Sequence, residues 1–161
     1  MHMFYTRFET DICPIILLGD EEGIVKLHMD VGENFRQLRL EENMIKNDKF
    51  FEEAKKQIIE YMSGERHTFY LKLNPQGTEF QKNIWNALCE IPYGETCSYK
   101  DIALAVGNDK AYRAVGMANN KNPIPLIIPC HRVVGSNGKL TGYAFGCSIK
   151  KRIIELEQRN K

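Results

Sequence analysis

Residues 127–134 read Ile-Ile-Pro-Cys-His-Arg-Val-Val and place a cysteine and a histidine side by side between two aliphatic pairs. The aliphatic pairs predict short buried strands that lead into and out of the polar centre. Pro129 fixes its own φ angle and biases Ile128 towards an extended backbone, so the segment is stiff. The Cys130 thiol, beside the imidazole of His131, is therefore a candidate nucleophile. Taken alone, the pattern also fits a cysteine that serves only as a small core side chain.

Two short helices are predicted upstream of this stretch. Ser98, followed by Asp101 three residues later, predicts the cap of a first helix. Asp109 is predicted to cap a second helix, from Lys110 to about Asn119, which follows a Gly-Asn turn. Such a pair is typical of a helix-turn-helix, although an ordinary helical hairpin fits the same pattern. The second helix consists mostly of small residues, which allows its backbone to approach a duplex closely.

The first half of the chain reads as a small lobe of strands and one helix and carries no chemical motif. The helix is predicted to start at a cap on Asn47 or Asp48 and to run through Tyr61, with Phe50 and Ile58 on its apolar stripe. Extended apolar runs predict four strands, over 4–9, 13–18, 24–29 and 69–73.

The Asn-Pro-Gln-Gly loop at 74–77 is the predicted domain boundary. It divides the chain into an N-terminal α+β lobe, 1–77, and a C-terminal domain, 78–161. Thr78 and Gln81 then match a capping box, which predicts the start of a further helix.

Composition excludes several classes of protein. The chain has 161 residues, of which 43% are hydrophobic and 27% charged, as is ordinary for a globular sequence. It contains no apolar run of the ~20 residues that a membrane-spanning helix needs, and its start does not resemble a secretory signal. Five cysteines without CxxC spacing indicate reduced thiols rather than a disulfide framework or a zinc site. We therefore expect a cytoplasmic protein without a bound metal.

Electric charge is unevenly distributed along the chain, although the net charge is only +1. Residues 1–77 carry 10 basic and 14 acidic side chains, a net −4, whereas residues 78–161 carry 12 and 7, a net +5. A basic C-terminal half is a weak indication of nucleic-acid binding, because phosphate contacts need lysine and arginine. An imbalance of this size is also common on ordinary solvated surfaces.

Several motifs of the C-terminal half occur together in one known family. They are Ile-Pro-Tyr-Gly-Glu-Thr at 91–96, Ala-Tyr-Arg-Ala-Val-Gly at 111–116, Asn-Pro-Ile-Pro at 122–125, Pro-Cys-His-Arg-Val-Val at 129–134 and Gly-Tyr at 142–143. With this unbroken spacing, the half resembles the O6-alkylguanine-DNA alkyltransferases, which repair DNA by direct reversal. The N-terminal half fits loosely, as a ribonuclease-H-like lobe. The resemblance implies an α+β fold whose C-terminal domain is mainly helical and contains a helix-turn-helix.

The resemblance also implies a chemistry for the Cys-His pair. Cys130 would accept an alkyl group from the O6 atom of guanine, irreversibly and in a single turnover. A free thiol of pKa ~8.5 is only slightly ionised at neutral pH, so a base is needed. By resemblance, His131 is that base, acting through a bridging water, and Glu157 orients the imidazole. Neighbours on an extended strand point to opposite faces, which favours a water relay over direct contact. Tyr99 would donate a proton to the departing base.

The family likeness assigns the DNA contacts to the predicted helix-turn-helix. Arg113 resembles the finger that fills the stack when the damaged nucleotide is flipped out. Ala114 and Tyr99 are the implied DNA-binding neighbours of this finger. Asn122 is expected to fix the turn between the second helix and the cysteine segment.

A pocket for the flipped base is implied by the loop that follows the cysteine segment. Tyr143 and Ala144 would close over the base, with backbone amides facing the guanine oxygen, and Val133 would complete the pocket. Family members often carry a polar residue where this chain has Ala144, so we expect an amide contact but no hydroxyl contact there. The implied partner is double-stranded DNA that contains O6-alkylguanine. We expect a monomer that needs no cofactor, no metal and no membrane.

Two other functions fit parts of the sequence. A non-catalytic alkyltransferase-like protein would bind the same lesions, but that class replaces the acceptor cysteine, which is present here as Cys130. A helix-turn-helix regulator would read base edges in the major groove with polar side chains. The small residues over 111–118 favour sequence-tolerant docking in the minor groove instead.

Overall fold

The computed structural model describes residues 2–32 and 35–161. The chain divides into two compact units, over residues 1–76 and 77–161. The first contains a four-stranded sheet and one helix, and the second contains four helices and a two-stranded sheet among the described residues. The predicted α+β class is therefore confirmed. None of the helices in the described ranges is long and apolar enough to cross a membrane.

The sheet of the first unit has the strand order β3-β2-β1-β4. Its pairs β1–β2 and β2–β3 are antiparallel, as short turns between consecutive strands require, and β1–β4 is parallel. Helix α1 buries one stripe, which includes Ile58 and Tyr61 as predicted. The elements are β1 (Phe4–Phe8), β2 (Ile15–Asp20), β3 (Gly23–Met29), β4 (Ile45–Lys46) and α1 (Glu52–Met62).

The predicted cap of α1 is wrong, because both polar side chains are used elsewhere. Asn47 Oδ1 accepts a hydrogen bond from the amide of Phe50 at 3.0 Å, which closes a turn before the helix. Asp48 Oδ1 accepts from the Thr6 hydroxyl at 2.7 Å. The helix begins later, after Phe51, and Phe50 is exposed rather than on the buried stripe.

The predicted strand over 69–73 is also wrong. Only Leu73 forms a bridge, with Ile24 of β3. The backbone of Tyr70 is instead bound by one side chain, since Gln57 Oε1 accepts from its amide at 2.9 Å and Gln57 Nε2 donates to its carbonyl at 3.4 Å. A side-chain amide thus satisfies the backbone groups that a strand ladder would have paired.

The second unit is built around a helical core. Helix α2 buries Ile84, Trp85 and Leu88, and the Trp85 indole donates to the carbonyl of Ala118 in α4 at 2.9 Å. The predicted capping box of α2 is confirmed, as is that of α3. The elements are α2 (Glu79–Leu88), β5 (Cys97–Ser98), α3 (Tyr99–Ala105), α4 (Tyr112–Asn120), β6 (Val133–Val134) and α5 (Cys147–Arg159).

Two predictions of local structure fail in this unit. Helix α4 begins at Tyr112 with no side-chain cap, so Asp109 does not cap it. The cysteine segment is not a strand, because Cys130–Arg132 form a single 3-10 turn and extended structure starts only at β6, which pairs in parallel with β5. The side chain of Asn122 explains why the predicted strand before Cys130 is absent. Its Nδ2 donates to the carbonyl of Ile128 at 2.7 Å and holds the residues before Cys130 in a turn.

Candidate active site and DNA-facing helix

The Cys130 side chain is buried and its backbone is held on both sides. Its amide donates to the carbonyl of Ile128 at 2.8 Å, and the amide of Arg132 donates to the carbonyl of Pro129 at 3.1 Å, which closes the 3-10 turn. The carbonyl of Cys130 accepts a 3.4 Å hydrogen bond from the side chain of Asn119 in α4. The backbone that carries the thiol is therefore tied to helix α4.

The two residues that follow Cys130 form a buried polar cluster with the carboxylate of Glu157 in α5. Glu157 Oε2 lies 2.7 Å from His131 Nε2, and both side chains are fully enclosed. The Arg132 guanidinium makes a two-pronged contact with the same carboxylate, through Nε and Nη2 at 2.9 Å each. The amide of Gly94 also donates to it at 3.2 Å, and Arg132 Nη1 binds the carbonyl of Ile91 at 2.7 Å. The structure thus brings His131 and Glu157 together.

These contacts fix the protonation of the pair. Burial alone would raise the pKa of Glu157, but hydrogen bonds from His131 and Arg132 and the charge of Arg132 outweigh burial and hold that pKa well below its usual range. Burial lowers the pKa of His131 by more than the contact with Glu157 raises it. An ionised carboxylate can only accept, so Nε2 of the neutral imidazole carries the proton. Nδ1 is then the basic nitrogen of the ring.

The Tyr99 hydroxyl and the Lys150 ammonium bind the same backbone carbonyl. Tyr99 donates to the carbonyl of Thr141 at 3.3 Å, and Lys150 Nζ donates to it at 2.9 Å and to the carbonyl of Val133 at 2.6 Å. Burial raises the pKa of Tyr99, with a hydrogen bond to the Thr141 side chain acting in the opposite direction, so the phenol keeps its proton at neutral pH. Burial lowers the pKa of Lys150, while the neighbouring thiols Cys130 and Cys147 act to raise it.

Lys150 is a residue that the sequence reasoning missed. Its side chain is 0% exposed, which is rare for lysine. It lies three residues before Ile153 and seven before Glu157, so all three occupy the buried face of α5. A lysine on the apolar stripe of an amphipathic helix was the available signal.

Helix α4 carries the predicted DNA-binding residues Arg113 and Ala114, and both are exposed. The helix lies close to Tyr99, since a Cβ built on Gly116 would be 3.8 Å from the Tyr99 ring. Asn122, by contrast, is 1% exposed, and its Oδ1 also accepts from the amide of Ile124 at 3.0 Å. It holds the turn between α4 and Cys130, as expected, and that burial keeps its side chain from direct contact with a duplex.

The predicted substrate loop meets Tyr99 and the end of α4. A Cβ built on Gly142 would lie 3.6 Å from the Tyr99 hydroxyl and 3.3 Å from the side-chain amide of Asn120. Gly142 also has a φ of 60°, which favours glycine. Tyr143 and Ala144 are half-buried, and the amide of Gly146 closes the loop on the Tyr143 carbonyl at 3.0 Å.

Cys89, Cys97 and Cys147 are the other cysteines of this unit. Burial, helped by the charge of Asp101, raises the pKa of Cys97 to about 11. Burial likewise raises the pKa of Cys89. A raised pKa lowers the thiolate fraction, so both are poor nucleophiles at neutral pH. Cys147 is exposed at the start of α5, where its Sγ lies 3.5 Å from the carbonyl of Leu140.

Comparison with known proteins covers both units. The family model of the 6-O-methylguanine DNA methyltransferase DNA-binding domain matches residues 79–159. The model of the ribonuclease-like domain of 6-O-methylguanine DNA methyltransferase matches residues 3–75. The chain belongs to the 6-O-methylguanine DNA methyltransferase family. The resemblance predicted from the C-terminal motifs is thereby confirmed, and it extends to the N-terminal half, where the sequence motifs gave only a loose fit.

Relatives within the family match over nearly their whole length. A methylated-DNA–protein-cysteine methyltransferase of Methanosarcina barkeri is 52% identical over 158 residues, covering 98% of this chain and 99% of the relative. The constitutive methylated-DNA–protein-cysteine methyltransferase of Bacillus subtilis is 43% identical over 157 residues, covering 96% and 95%. A crystal structure of Mycobacterium tuberculosis OGT in complex with DNA is 38% identical with a TM-score of 0.88, covering 99% of this chain and 94% of that one.

Proposed function

We propose that this chain repairs alkylated DNA by direct reversal, moving the alkyl group from O6 of guanine to Sγ of Cys130. The S–C bond forms as the C–O6 bond breaks, and the thiol proton ends, in net terms, on the departing guanine. The product is a thioether without a good leaving group, so each molecule reacts once. Support comes from the buried thiol of Cys130, followed directly in the chain by His131, whose neutral imidazole is held through Nε2 by Glu157.

The base in this reaction is His131. Its Nε2–H is held by the Glu157 carboxylate, so Nδ1 is the nitrogen that takes the thiol proton. Successive residues of a 3-10 turn point about 120° apart, so the side chains of Cys130 and His131 diverge. A bridging water is therefore the proposed relay, for a reason different from the strand geometry expected from the sequence.

Tyr99 is the proposed acid that protonates the leaving group. Its phenol keeps its proton at neutral pH and lies at the substrate loop, where it can protonate the departing guanine. Val133, Tyr143 and Ala144 form the proposed pocket, with backbone groups of the loop facing the base. Lys150 supports this pocket by donating a hydrogen bond to the Val133 carbonyl.

We propose double-stranded DNA carrying O6-alkylguanine as the substrate, with the damaged nucleotide flipped out of the stack. The exposed Arg113 of α4 then fills the vacated space, and Ala114 allows close approach of the helix. We expect Arg113→Ala to slow transfer from duplex DNA at least about tenfold more than transfer from free O6-methylguanine base. Single-turnover rates on the two substrates measure this, and equal losses would contradict the finger assignment.

The remaining proposals concern the whole protein. The proposed reacting groups all come from residues 77–161 of one chain, which supports action as a monomer. Its reactive thiol requires a reducing compartment, and this supports a cytoplasmic location. The loop at 74–77 is the proposed boundary between two domains, 1–77 and 78–161.

Intact-mass spectrometry tests the proposed function directly. After incubation with duplex DNA containing O6-methylguanine, we expect the protein to gain one methyl group, mapped by peptide sequencing to Cys130. Cys130→Ser should bind the same DNA without gaining mass. An adduct at another cysteine would refute the assignment of Cys130. Binding without transfer by the wild-type chain would favour the non-catalytic alternative.

A further inference from the structure

Helix α4 exposes three side chains along one line. At 100° per residue, positions 113, 117 and 120 fall within about 60° of one another. The opposite side of the helix is buried and packs into the unit through Val115, Ala118 and Asn119. The exposed line consists of Arg113, Met117 and Asn120.

This line runs from the proposed finger to the mouth of the proposed pocket. Its far end is Asn120. A Cβ built on Gly142 would lie 3.3 Å from the side-chain amide of Asn120 and 3.6 Å from the Tyr99 hydroxyl. Gly116, the neighbour of Met117, faces the Tyr99 ring. Met117 therefore stands between Arg113 and the place where a flipped base would enter.

Met117 projects further from the surface than its neighbours on the helix. Its side chain is 69% exposed, while Ala114 and Gly116 beside it have little or no side chain. A single exposed apolar residue is ordinary on a protein surface, so exposure alone indicates nothing. Its place beside an exposed arginine, on a helix of a matched DNA-binding domain, is what distinguishes Met117.

We propose that Met117 is an apolar wedge that enters the minor groove next to Arg113 and packs against the base pair flanking the flipped nucleotide. Proteins that bend or open DNA from the minor groove combine arginine with inserted apolar side chains, methionine among them. The methionine side chain is unbranched and polarizable, so it adapts to different flanking pairs. It has no hydrogen-bond donor and reads no base edge, which suits a protein that acts on lesions in any sequence. The inference rests on the proposed function.

Binding measurements on lesion DNA test the wedge. We would place Met117→Ala, Met117→Leu and Arg113→Ala in a Cys130→Ser background, so that binding is measured without reaction. Met117→Ala should bind duplex DNA containing O6-methylguanine about tenfold more weakly, as expected for losing the burial of a methionine side chain. Met117→Leu should stay within about twofold of its parent, because leucine keeps the apolar bulk.

Salt dependence separates an apolar wedge from a charge effect. The slope of log K against log salt should be the same for Met117→Ala and its parent, because no counterion is released by an apolar contact. Arg113→Ala should make that slope less steep, because it removes a positive charge from the groove. The matched control is Leu104→Ala on α3, which removes a side chain that is 63% exposed and should leave binding within about twofold.

Three results would overturn the wedge: unchanged binding by Met117→Ala, an altered salt slope for that variant, or an equal loss in Leu104→Ala. Methyl transfer to wild-type Cys130 tests the proposed function independently. Transfer together with unaffected binding by Met117→Ala would therefore reject the wedge alone.

Discussion

The Glu157 carboxylate binds both a neutral histidine and a buried guanidinium, so its negative charge affects both the rate of transfer and the stability of the fold. We expect Glu157→Gln, which keeps the shape, to slow methyl transfer at least about a hundredfold, because a neutral amide no longer stabilises the imidazolium that forms when Nδ1 takes the thiol proton. The same change leaves Arg132 buried without its carboxylate and should lower the free energy of unfolding by about 3–5 kcal/mol. Single-turnover kinetics and urea unfolding measure the two effects.

The matched control for this variant is Glu155→Gln, on the same helix. Glu155 makes an exposed 3.9 Å pair with Lys151, so both rate and stability should stay near the wild-type values. A Glu157→Gln protein with wild-type transfer rate would exclude the proposed role of the carboxylate.

Buried histidines make the stability of the protein depend on pH. Burial lowers the pKa of His28 and of His131. Below pH ~6.5 the unfolded chain therefore binds protons that the folded chain does not bind. The free energy of unfolding should therefore fall as the pH is lowered from 7 to 5. The depressed pKa of Glu157 adds a second loss, which begins only below pH ~4.3.

Urea unfolding at pH 7 and pH 5 checks the histidine contribution. A His28→Gln/His131→Gln double variant should lose most of the difference between the two pH values, whatever its absolute stability. Equal stability of the wild-type chain at both pH values would show that the two imidazoles are not protected from protons.

At the scale of single residues, the sequence indicated the reacting side chains better than the side chains that hold the site in place. Cys130 and His131 were recognisable from their motif, and Glu157 followed from the resemblance. Lys150 was not, because its importance comes from burial against two carbonyls that lie 9 and 17 residues before it in the chain. Only tertiary packing determines whether a lysine on a helix is solvated or enclosed.

Among the structural elements, the substrate loop depends on one lysine of α5. Lys150→Met keeps the apolar stem but removes the hydrogen bonds to Thr141 and Val133. We expect transfer from duplex DNA and from free O6-methylguanine to slow by a similar factor, about tenfold, because both substrates use the same pocket. Single-turnover rates on both substrates provide the measurement.

Lys151→Met is the control, since Lys151 is the next residue and its side chain is exposed. It should retain the wild-type rate. If Lys150→Met impaired only the reaction with duplex DNA, Lys150 would belong to DNA binding rather than to the pocket.

Local signals decided which elements were predictable. The capping boxes at Thr78 and Ser98 were found because each lies within four residues of sequence. The strands expected at 69–73 and before Cys130 are absent because the side chains of Gln57 and Asn122 bind those backbone groups. The first of these hydrogen bonds joins residues 13 positions apart, which no local pattern reveals.

For the molecule as a whole, repair and stability should be linked through the acceptor itself. Cys130 is buried in a turn held by α4, so a methyl group on its sulfur adds volume to a packed region. Overpacking of this kind costs about 1–3 kcal/mol. We expect the methylated protein to melt about 4–24 °C lower than the unreacted protein, with the change in the transition of residues 77–161.

Differential scanning calorimetry before and after one equivalent of lesion DNA, with the DNA removed, measures this shift. Cys130→Ser treated in the same way controls for residual DNA and should melt unchanged. A methylated protein that melts at or above the unreacted temperature would mean that the pocket already holds space for the alkyl group. In that case the product would be as stable as the reactant, and single use would reflect only the inertness of the thioether.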